Sequence, residues 1–499
     1  MAIILSIQEI QTLITNDINS EKKRLAKVGQ RYYEADHDIK DYRVFYFNDD
    51  GELVEDRSKS NQRISHPFFT ELVDQLVSYV LSNTEEIIKS DAEGLQEHLD
   101  VYFDEEFWAE CAELLTGVYS KGFDYLYSYK HRDGRTAFQY ADCMGVVEVR
   151  EKDTDDGCAC TIYWYIDRIE KGKKEIRRIQ VHTDKDITFY MQNGESGKIE
   201  LDDNVLLNPS PNVIMTDPKT GKKYAGSLGF IPFFRMDYNR KQISGLRPIK
   251  GIIDDYDLME CGLSNNLQDF DHPIYAVKGF EGDNLSELGQ NLRTKKLVGV
   301  GENGGIDILT IDVPYQARKT KADEDEKNIY RFGMGLNTQG LKDTSATTNL
   351  AIQAAYTLLD LKAKKLITRF KRFLKDILEI VIAEINEKNK TGYQVSDVYF
   401  DFTPHVLVNE SETATTEKTK AETKQIEVNT ILNVAAQIGD EETLKSICDV
   451  LDLDFDEINE KVSENDEENS LNDAKSKLNN VVVEEEPIET EPVEEGVVE

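Results

Sequence analysis

The sequence predicts an α+β protein, and three observations predict it. Apolar residues recur at helical spacing through roughly the first quarter of the chain, and β-branched and aromatic residues alternate through a block near 125–235. A second set of helical segments follows, two of them long. With 499 residues the chain exceeds one compact core, so roughly two to four domains are expected.

The elements follow in order. "MAIILSIQEIQTLI" is apolar but lacks a basic leader region and a small-residue cleavage site, so it reads as an amphipathic helix rather than a signal peptide. "HPFFTELVDQLVSYVLS" sets Phe69, Leu72, Val73, Leu76, Val80 and Leu81 on one helical face. "FWAECAELLTGVYSKGFDYLYSY" does the same with Trp108, Cys111, Leu115, Val118 and Tyr119, and Gly122 punctuates it. "DYLYSYK" and "RTAFQYAD" flank an Asp133-Gly134 turn and read as a hairpin. "CACTIYWYIDRI" and "KKEIRRIQVHT" alternate as strands, and "DITFYMQNGESGKIEL" reads as a second hairpin.

Residues 246–271 predict one long helix with Ile249, Ile252, Ile253, Tyr256, Leu258, Met259 and Leu263 on its apolar side. A strand-turn-strand unit over 272–314 and a very polar helix over 315–333 come next. After the polar stretch "NTQGLKDTSATT" a helix runs from Asn349 to about Asn386, roughly 55 Å at ~1.5 Å per residue. So much helix around so small an insert predicts an extended stalk with a tip. Short helices fill about 415–462. The tail from Ser463 has thirteen Asp and Glu against two Lys, with Pro487 and Pro492, a composition expected to be disordered.

Composition excludes several classes. Net charge is -36, from 95 Asp and Glu against 59 Lys and Arg, so the surface repels nucleic acid at long range and any DNA contact must be local. No run of eighteen apolar residues predicts a membrane-spanning helix. The six cysteines are scattered apart from Cys158 and Cys160, which fits reduced thiols better than a metal site. The seven histidines show no metal-ligand spacing, and no catalytic constellation stands out, so neither a metal nor a cofactor is expected. "GVGENG" (Gly299–Gly304) has the glycine spacing of a dinucleotide loop, but "GIDILTIDV" behind it alternates as a strand. A pyrophosphate site needs a helix there, so a glycine-rich hairpin turn is the better reading. Asp254, Asp255 and Asp257 fall within one turn of the 246–271 helix and read as its solvated or tunnel-facing edge.

One local feature opposes the global charge. Lys362, Lys365, Arg369 and Arg372 share one face of the long helix, while Leu359, Leu366, Ile367, Phe370, Leu374, Ile377 and Val381 occupy the other. Such a face suits solvent, an acidic neighbouring subunit or a polyanion.

The order of parts resembles the portal proteins of tailed double-stranded DNA bacteriophages, in particular those of phages with long non-contractile tails. "RYYEADHDIKDYR" (31–43) resembles the family's Tyr-Tyr-x(3)-His-Asp-Ile opening, and "NQRISHPFFTELVDQLVSYVLS" (61–82) its following helix. "GSLGFIPFFRMDYNRKQISGLRPIKGIIDDYDLMECGLSNNLQDF" (226–270) is similar to its Gly-x-Ile-Pro strand and long stem helix. "DTSATTNLAIQAAYTLLDLKAKKLITRF" (343–370) resembles its Ser-Gly-x-Ala-Leu segment, with Thr347-Thr348-Asn349-Leu350-Ala351-Ile352 in that place.

The resemblance implies a portal-like fold. The wing is 1–245, the stem helix 246–271, the clip 272–314 and the second stem helix 315–333. The tunnel loop is 334–348, the long helix and return to the wing 349–414, the crown 415–462 and the acidic tail 463–499. It implies a ring, of twelve subunits in that family, at one capsid vertex. The ring carries DNA in packaging and ejection and has no catalysis of its own. In the loop, Asn337, Thr338, Gln339, Lys342, Thr344, Ser345 and Thr347 would face DNA, and the basic face from Lys362 to Arg372 would meet DNA or a neighbouring subunit. In the clip, Asp283, Glu287, Arg293, Lys295 and Lys296 would meet the terminase large subunit and then the head-completion adaptor. Major capsid and scaffolding proteins are the other implied partners, non-specific double-stranded DNA the cargo, and the virion, after assembly in host cytoplasm, the location. Two other classes stay open: a nucleotide- or dinucleotide-binding enzyme using Gly299–Gly304, and a helical scaffold without DNA contact.

Overall fold

Two capped amphipathic helices begin the described chain. α1 (Ile7–Ile18) starts where Ser6 and Glu9 cap each other: the Ser6 hydroxyl accepts the Glu9 N–H, and the Glu9 carboxylate accepts the Ser6 N–H. α2 (Glu21–Tyr33) starts behind Ser20, whose hydroxyl accepts the Lys23 N–H. The computed structural model describes residues 5–57, 59–151, 157–170, 174–194, 197–216, 223–270, 274–278, 305–309, 315–337, 349–403, 418, 423–435, 439–451 and 455. The chain divides into two compact units, residues 1–344 with 353–406, and residues 345–352 with 407–499.

In the first unit, a small hairpin of β1 (Phe45–Phe47) and β2 (Leu53–Glu55) follows α2. Then come α3 (Phe68–Val80), α4 (Thr84–Ile87), β3 (Ile88–Ser90), α5 (Leu95–Tyr102) and α6 (Glu105–Lys121). The apolar faces read from the sequence are the buried ones. Phe69, Leu72, Val73, Leu76 and Val80 of α3 join Trp108, Cys111, Leu115, Val118 and Tyr119 of α6 in one core, each such side chain contributing about 2 kcal/mol. α6 stops at Gly122, whose φ of +99° and a position where a Cβ would lie 2.5 Å from the Gln242 carbonyl oxygen both require glycine.

The strand-rich block is antiparallel throughout. β4 (Phe123–Lys130) and β5 (Thr136–Ala141) form the hairpin around Asp133-Gly134. β6 (Val146–Arg150), β7 (Cys158–Glu170), β8 (Lys174–His182), β9 (Asp186–Asn193) and β10 (Ile199–Leu201) make a meander, with β11 (Ser210–Pro211) added beside β9. Cys160, Ile162, Ile179 and Val181 of this sheet pack on Ile10 of α1. β12 (Val213–Thr216) pairs with β13 (Lys223–Gly226), and β14 (Phe233–Asp237) returns to pair with β4.

α7 (Lys250–Phe270) begins four residues later than the sequence predicts. Leu246–Ile249 form turns instead, because Pro248 has no N–H for a helical bond and restricts the residue before it. Its apolar side divides: Ile249 and Ile253 are buried in the main core, while Leu258 is exposed, as is Leu267 further along. β15 (Ile274–Lys278) pairs with β16 (Gly305–Leu309), Lys278 opposite Gly305. The strand at 305–309 stands where a dinucleotide loop would need a helix, as the hairpin reading expects. Gly299–Gly304 themselves lie outside the described residues.

α8 (Tyr315–Gly333) matches the predicted polar helix and runs antiparallel to α7, with Lys321 at Asp255 and Arg318 beside Gly262. α9 (Asn349–Asn389) has 41 residues, about 60 Å, slightly longer than predicted. Leu359, Leu366, Phe370, Leu374, Ile377 and Val381 are buried along it, with Ile367 packed at the margin. β17 (Val398–Phe400) then closes against β3. In the second unit, a helix over Asp440–Leu451 and a helical stretch over 423–435 agree with the short helices predicted there. The tail 463–499 lies outside the described residues.

Candidate functional site

The site is built where α8 ends and the polar segment 334–348 begins. Tyr330 stays in the core with its hydroxyl donating to Glu71 at 2.6 Å. At Gly333 and Gly335 the backbone runs against Leu72 of α3. A Cβ at Gly335 would stand 2.0 Å from a Leu72 methyl, so only glycine lets the chain pass so close. Met334 between them adopts φ +51°, an uncommon left-handed conformation for a non-glycine residue. Gln75, one turn along α3 from Leu72, then receives the Leu336 N–H and donates to the Leu336 carbonyl, both at 2.9 Å.

Lys362 of α9 holds the other side of this exit. Its ammonium donates to the Gly333 carbonyl at 2.9 Å, where α8 has an unpaired C-terminal acceptor, and lies 4.9 Å from the Tyr119 ring centroid. The sequence reading placed Lys362 on an outward basic face. The structure corrects this: Lys362 is 3% exposed, and burial pushes its pKa down to about 7. Its angular position sits at the margin between the charged and apolar faces, and packing of Tyr119 and Gly333 there decides the matter. Lys365, Arg369 and Arg372 are exposed, as predicted.

A second correction concerns the acidic turn of α7: Asp254 and Asp255 are part-exposed, but Asp257 does not lie on a solvated edge. Asp257 is fully buried. One carboxylate oxygen contacts His37 Nδ1 at 2.6 Å, and the other takes the His66 backbone N–H at 2.9 Å and contacts His66 Nδ1 at 2.7 Å. His37 also stacks on Tyr32, ring centroids 4.4 Å apart. Burial would raise the Asp257 carboxyl, but the bonds from both histidines outweigh it and hold the pKa below the usual range. Asp254 is bonded by Lys250 at 2.7 Å and by the Tyr32 hydroxyl, and Asp255 pairs with Lys321 at 2.6 Å. Sequence spacing could not join His37, His66 and Asp257. The signal lay in the "HDI" and "SHP" stretches, read only as parts of a resemblance.

Arg369 and Arg372 line a cleft of about 460 Å³ together with Arg150 and Arg235. Arg235 is committed to Glu148 and, at 3.1 Å, to Asp237. Among the described residues only Asp124, Asp142 and Cys143 cluster as metal ligands would, and the Lys121 ammonium already occupies them, 2.6 Å from Asp124 and 2.7 Å from Asp142.

Of the predicted loop residues, Asn337 is half-buried beyond Leu336, and Thr338, Gln339, Lys342, Thr344, Ser345 and Thr347 lie outside the described residues. So do Asp283, Glu287, Arg293, Lys295 and Lys296 of the predicted clip.

These features define a non-repetitive α+β protein with two long antiparallel helices joined through a small hairpin, and a polar segment clamped at its start. A family model described as "Phage portal protein, SPP1 Gp6-like" matches residues 13–470, and the chain belongs to that family. The portal protein of Bacillus phage SPP1 is 24% identical over 353 residues, covering 70% of this chain and 68% of the relative. The portal protein of Clostridium phage phiCD119 is 23% identical over 396 residues, covering 76% and 82%. A solved chain from the neck of a native GTA particle computed with C12 symmetry is similar at TM-score 0.37 and 13% identity, covering 78% of this chain and 90% of that one.

Proposed function

We propose that this portal-family chain assembles into a ring, of twelve subunits, at one vertex of a phage capsid, and that double-stranded DNA passes through the ring in packaging and in ejection. The family match across 13–470 carries this reading. Two properties of the molecule support it. Leu258 and Leu267 of α7 are exposed apolar residues on a stem helix, which a neighbouring subunit would cover. A net charge of -36 also suits a conduit, since each firm phosphate contact would add salt-dependent drag on moving DNA.

In this reading 1–245 is the wing, 272–314 the clip that meets the terminase large subunit and then the head-completion adaptor, and 415–462 the crown. Capsid and scaffolding proteins surround the ring. It forms in host cytoplasm and remains in the virion, and it performs no reaction itself. The segment 337–348 faces DNA with short polar side chains and one cation, Lys342.

Light scattering on the purified chain tests the reading. A particle near twelve times 57.0 kDa is expected, and a stable monomer at micromolar concentration overturns it. Replacing Thr344, Ser345 and Thr347 by Arg should leave the ring intact and slow packaging. An unchanged packaging rate would remove the loop from the DNA path. Charge reversal at Arg293, Lys295 and Lys296 should weaken motor binding, and unaltered binding would remove the clip assignment.

A further inference from the structure

Among the described residues, the cleft between α9 and the β6, β7 and β14 strands is lined by more guanidiniums than carboxylates. Four guanidiniums line it, from Arg150, Arg235, Arg369 and Arg372. Arg235 is neutralised by Glu148 and Asp237. Among the described residues Arg150, Arg369 and Arg372 make no ion pair, and the remaining lining carboxylate, Asp376, feels Arg372 only at longer range. Burial raises the Asp376 carboxyl, with Arg372 opposing.

Arg369 and Arg372 stand one turn apart on a helix whose opposite side is locked by Leu366, Phe370 and Leu374, all fully buried. Their positions are therefore fixed by the core, and Arg150 faces them from β6. Three arginines that make no ion pair among the described residues share this cleft; all are exposed, so water moderates their mutual repulsion and leaves each guanidinium open to a ligand. An anion removes the repulsion.

We propose that this cleft binds phosphate groups, held by Arg150, Arg369 and Arg372. The planar fork of a guanidinium matches two phosphate oxygens at once, which is why arginine rather than lysine suits the task. A volume of about 460 Å³ falls in the range of small-ligand sites, roughly 300–1,000 Å³. It admits a phosphate with its attached sugar or a short polyphosphate chain. The phosphate comes from a nucleic-acid backbone or from a free polyphosphate, and the site does not depend on ring formation.

The test uses the full chain with inorganic triphosphate and, separately, a short DNA duplex, over a salt series. Triphosphate binding, weakened about tenfold or more in an Arg369→Gln/Arg372→Gln variant, is the expected result. If the duplex also binds and its salt slope falls by about two in that variant, the source is a nucleic-acid backbone. Triphosphate binding without duplex binding assigns a free polyphosphate. Arg57→Gln, which removes an exposed arginine elsewhere, should change neither. Absence of triphosphate and duplex binding, or equal effects of Arg57→Gln and the double variant, overturns the proposal. So does a double variant that binds phosphate normally but no longer assembles, because the cleft is then a contact between subunits.

Discussion

The side-chain amide of Gln75 grips the backbone of Leu336 from both directions, accepting its N–H and donating to its carbonyl, each at 2.9 Å. A side chain on α3 thus does for one residue what a neighbouring strand does in a sheet. It fixes the chain just where the polar segment leaves the core.

Replacing Gln75 by Leu strands both groups, and a buried unsatisfied backbone group costs about 1–3 kcal/mol. Leu336 is only 8% exposed, so water offers little relief. We expect a loss of roughly 2 kcal/mol in urea unfolding and about tenfold faster hydrogen exchange at the Leu336 amide. Gln75→Glu keeps the acceptor, so that amide should stay protected. Equal exchange in all three proteins would show that the amide does not clamp the chain.

Glu384 ties the far end of α9 to the β4–β5 hairpin. Its carboxylate meets Lys130 at 2.8 Å and Lys388 at 2.7 Å and accepts the Thr136 N–H at 3.2 Å. Burial opposes ionisation, but bonds from Lys130, Lys388 and Thr136 prevail and bring the pKa down to about 2. A depressed carboxyl stabilises the fold fully above its unfolded pKa and loses that contribution as pH falls toward the folded value. Between about pH 4.5 and 2, then, roughly 3 kcal/mol should fade in the native protein. Glu384→Gln should be less stable by about 2–3 kcal/mol near neutrality and nearly equal to the native protein near pH 2. A gap that stays constant with pH would refute the ion-pair account.

Asp257 is the shared acceptor of His37 and His66, and its removal leaves two ring nitrogens without a common partner. Asp257→Asn should cost about 3 kcal/mol, more than either His37→Gln or His66→Gln. His66, at 29% side-chain exposure, should matter less than His37, which is fully buried. Thermal unfolding of the three variants gives the order, and His66→Gln as the most damaging would contradict it.

Much of the fold was legible because it rests on local periods. The apolar positions of α3, α6 and α9 and the Asp133-Gly134 hairpin follow from spacing alone. What was not legible depends on residues far apart in sequence. His37 meets Asp257 across 220 positions and Gln75 meets Leu336 across 261, and no period records such pairs. Lys362 failed for a different reason. Helical geometry gives an angle but not the depth of the neighbour at that angle, and Tyr119 and Gly333 supply a partner that reaches inward. The exposed arginines follow from helical spacing, but their convergence with Arg150 needs the β6 and β14 strands to be placed beside α9.

Lys362 gives the last prediction, and stability again rises with pH as it does for Glu384, but in a window near and above neutrality and because burial disfavours the charged form. An ordinary lysine titrates near 10.4, while burial brings Lys362 down to about 7. Between those values the unfolded chain holds a proton that the folded one has released. Stability must then rise with pH across this window, because the proton uptake that favours unfolding becomes weaker. Lys362→Met has no such proton. Measured by urea unfolding at about pH 7 and about pH 9, the native protein should gain roughly 2 kcal/mol relative to the Met variant. The Met variant also loses the donor to the Gly333 carbonyl, which lowers stability by about 1 kcal/mol at both pH values and leaves the slope untouched. Parallel pH dependences in the two proteins would mean that Lys362 keeps its charge inside the fold, held by the Gly333 carbonyl and the Tyr119 ring against its burial.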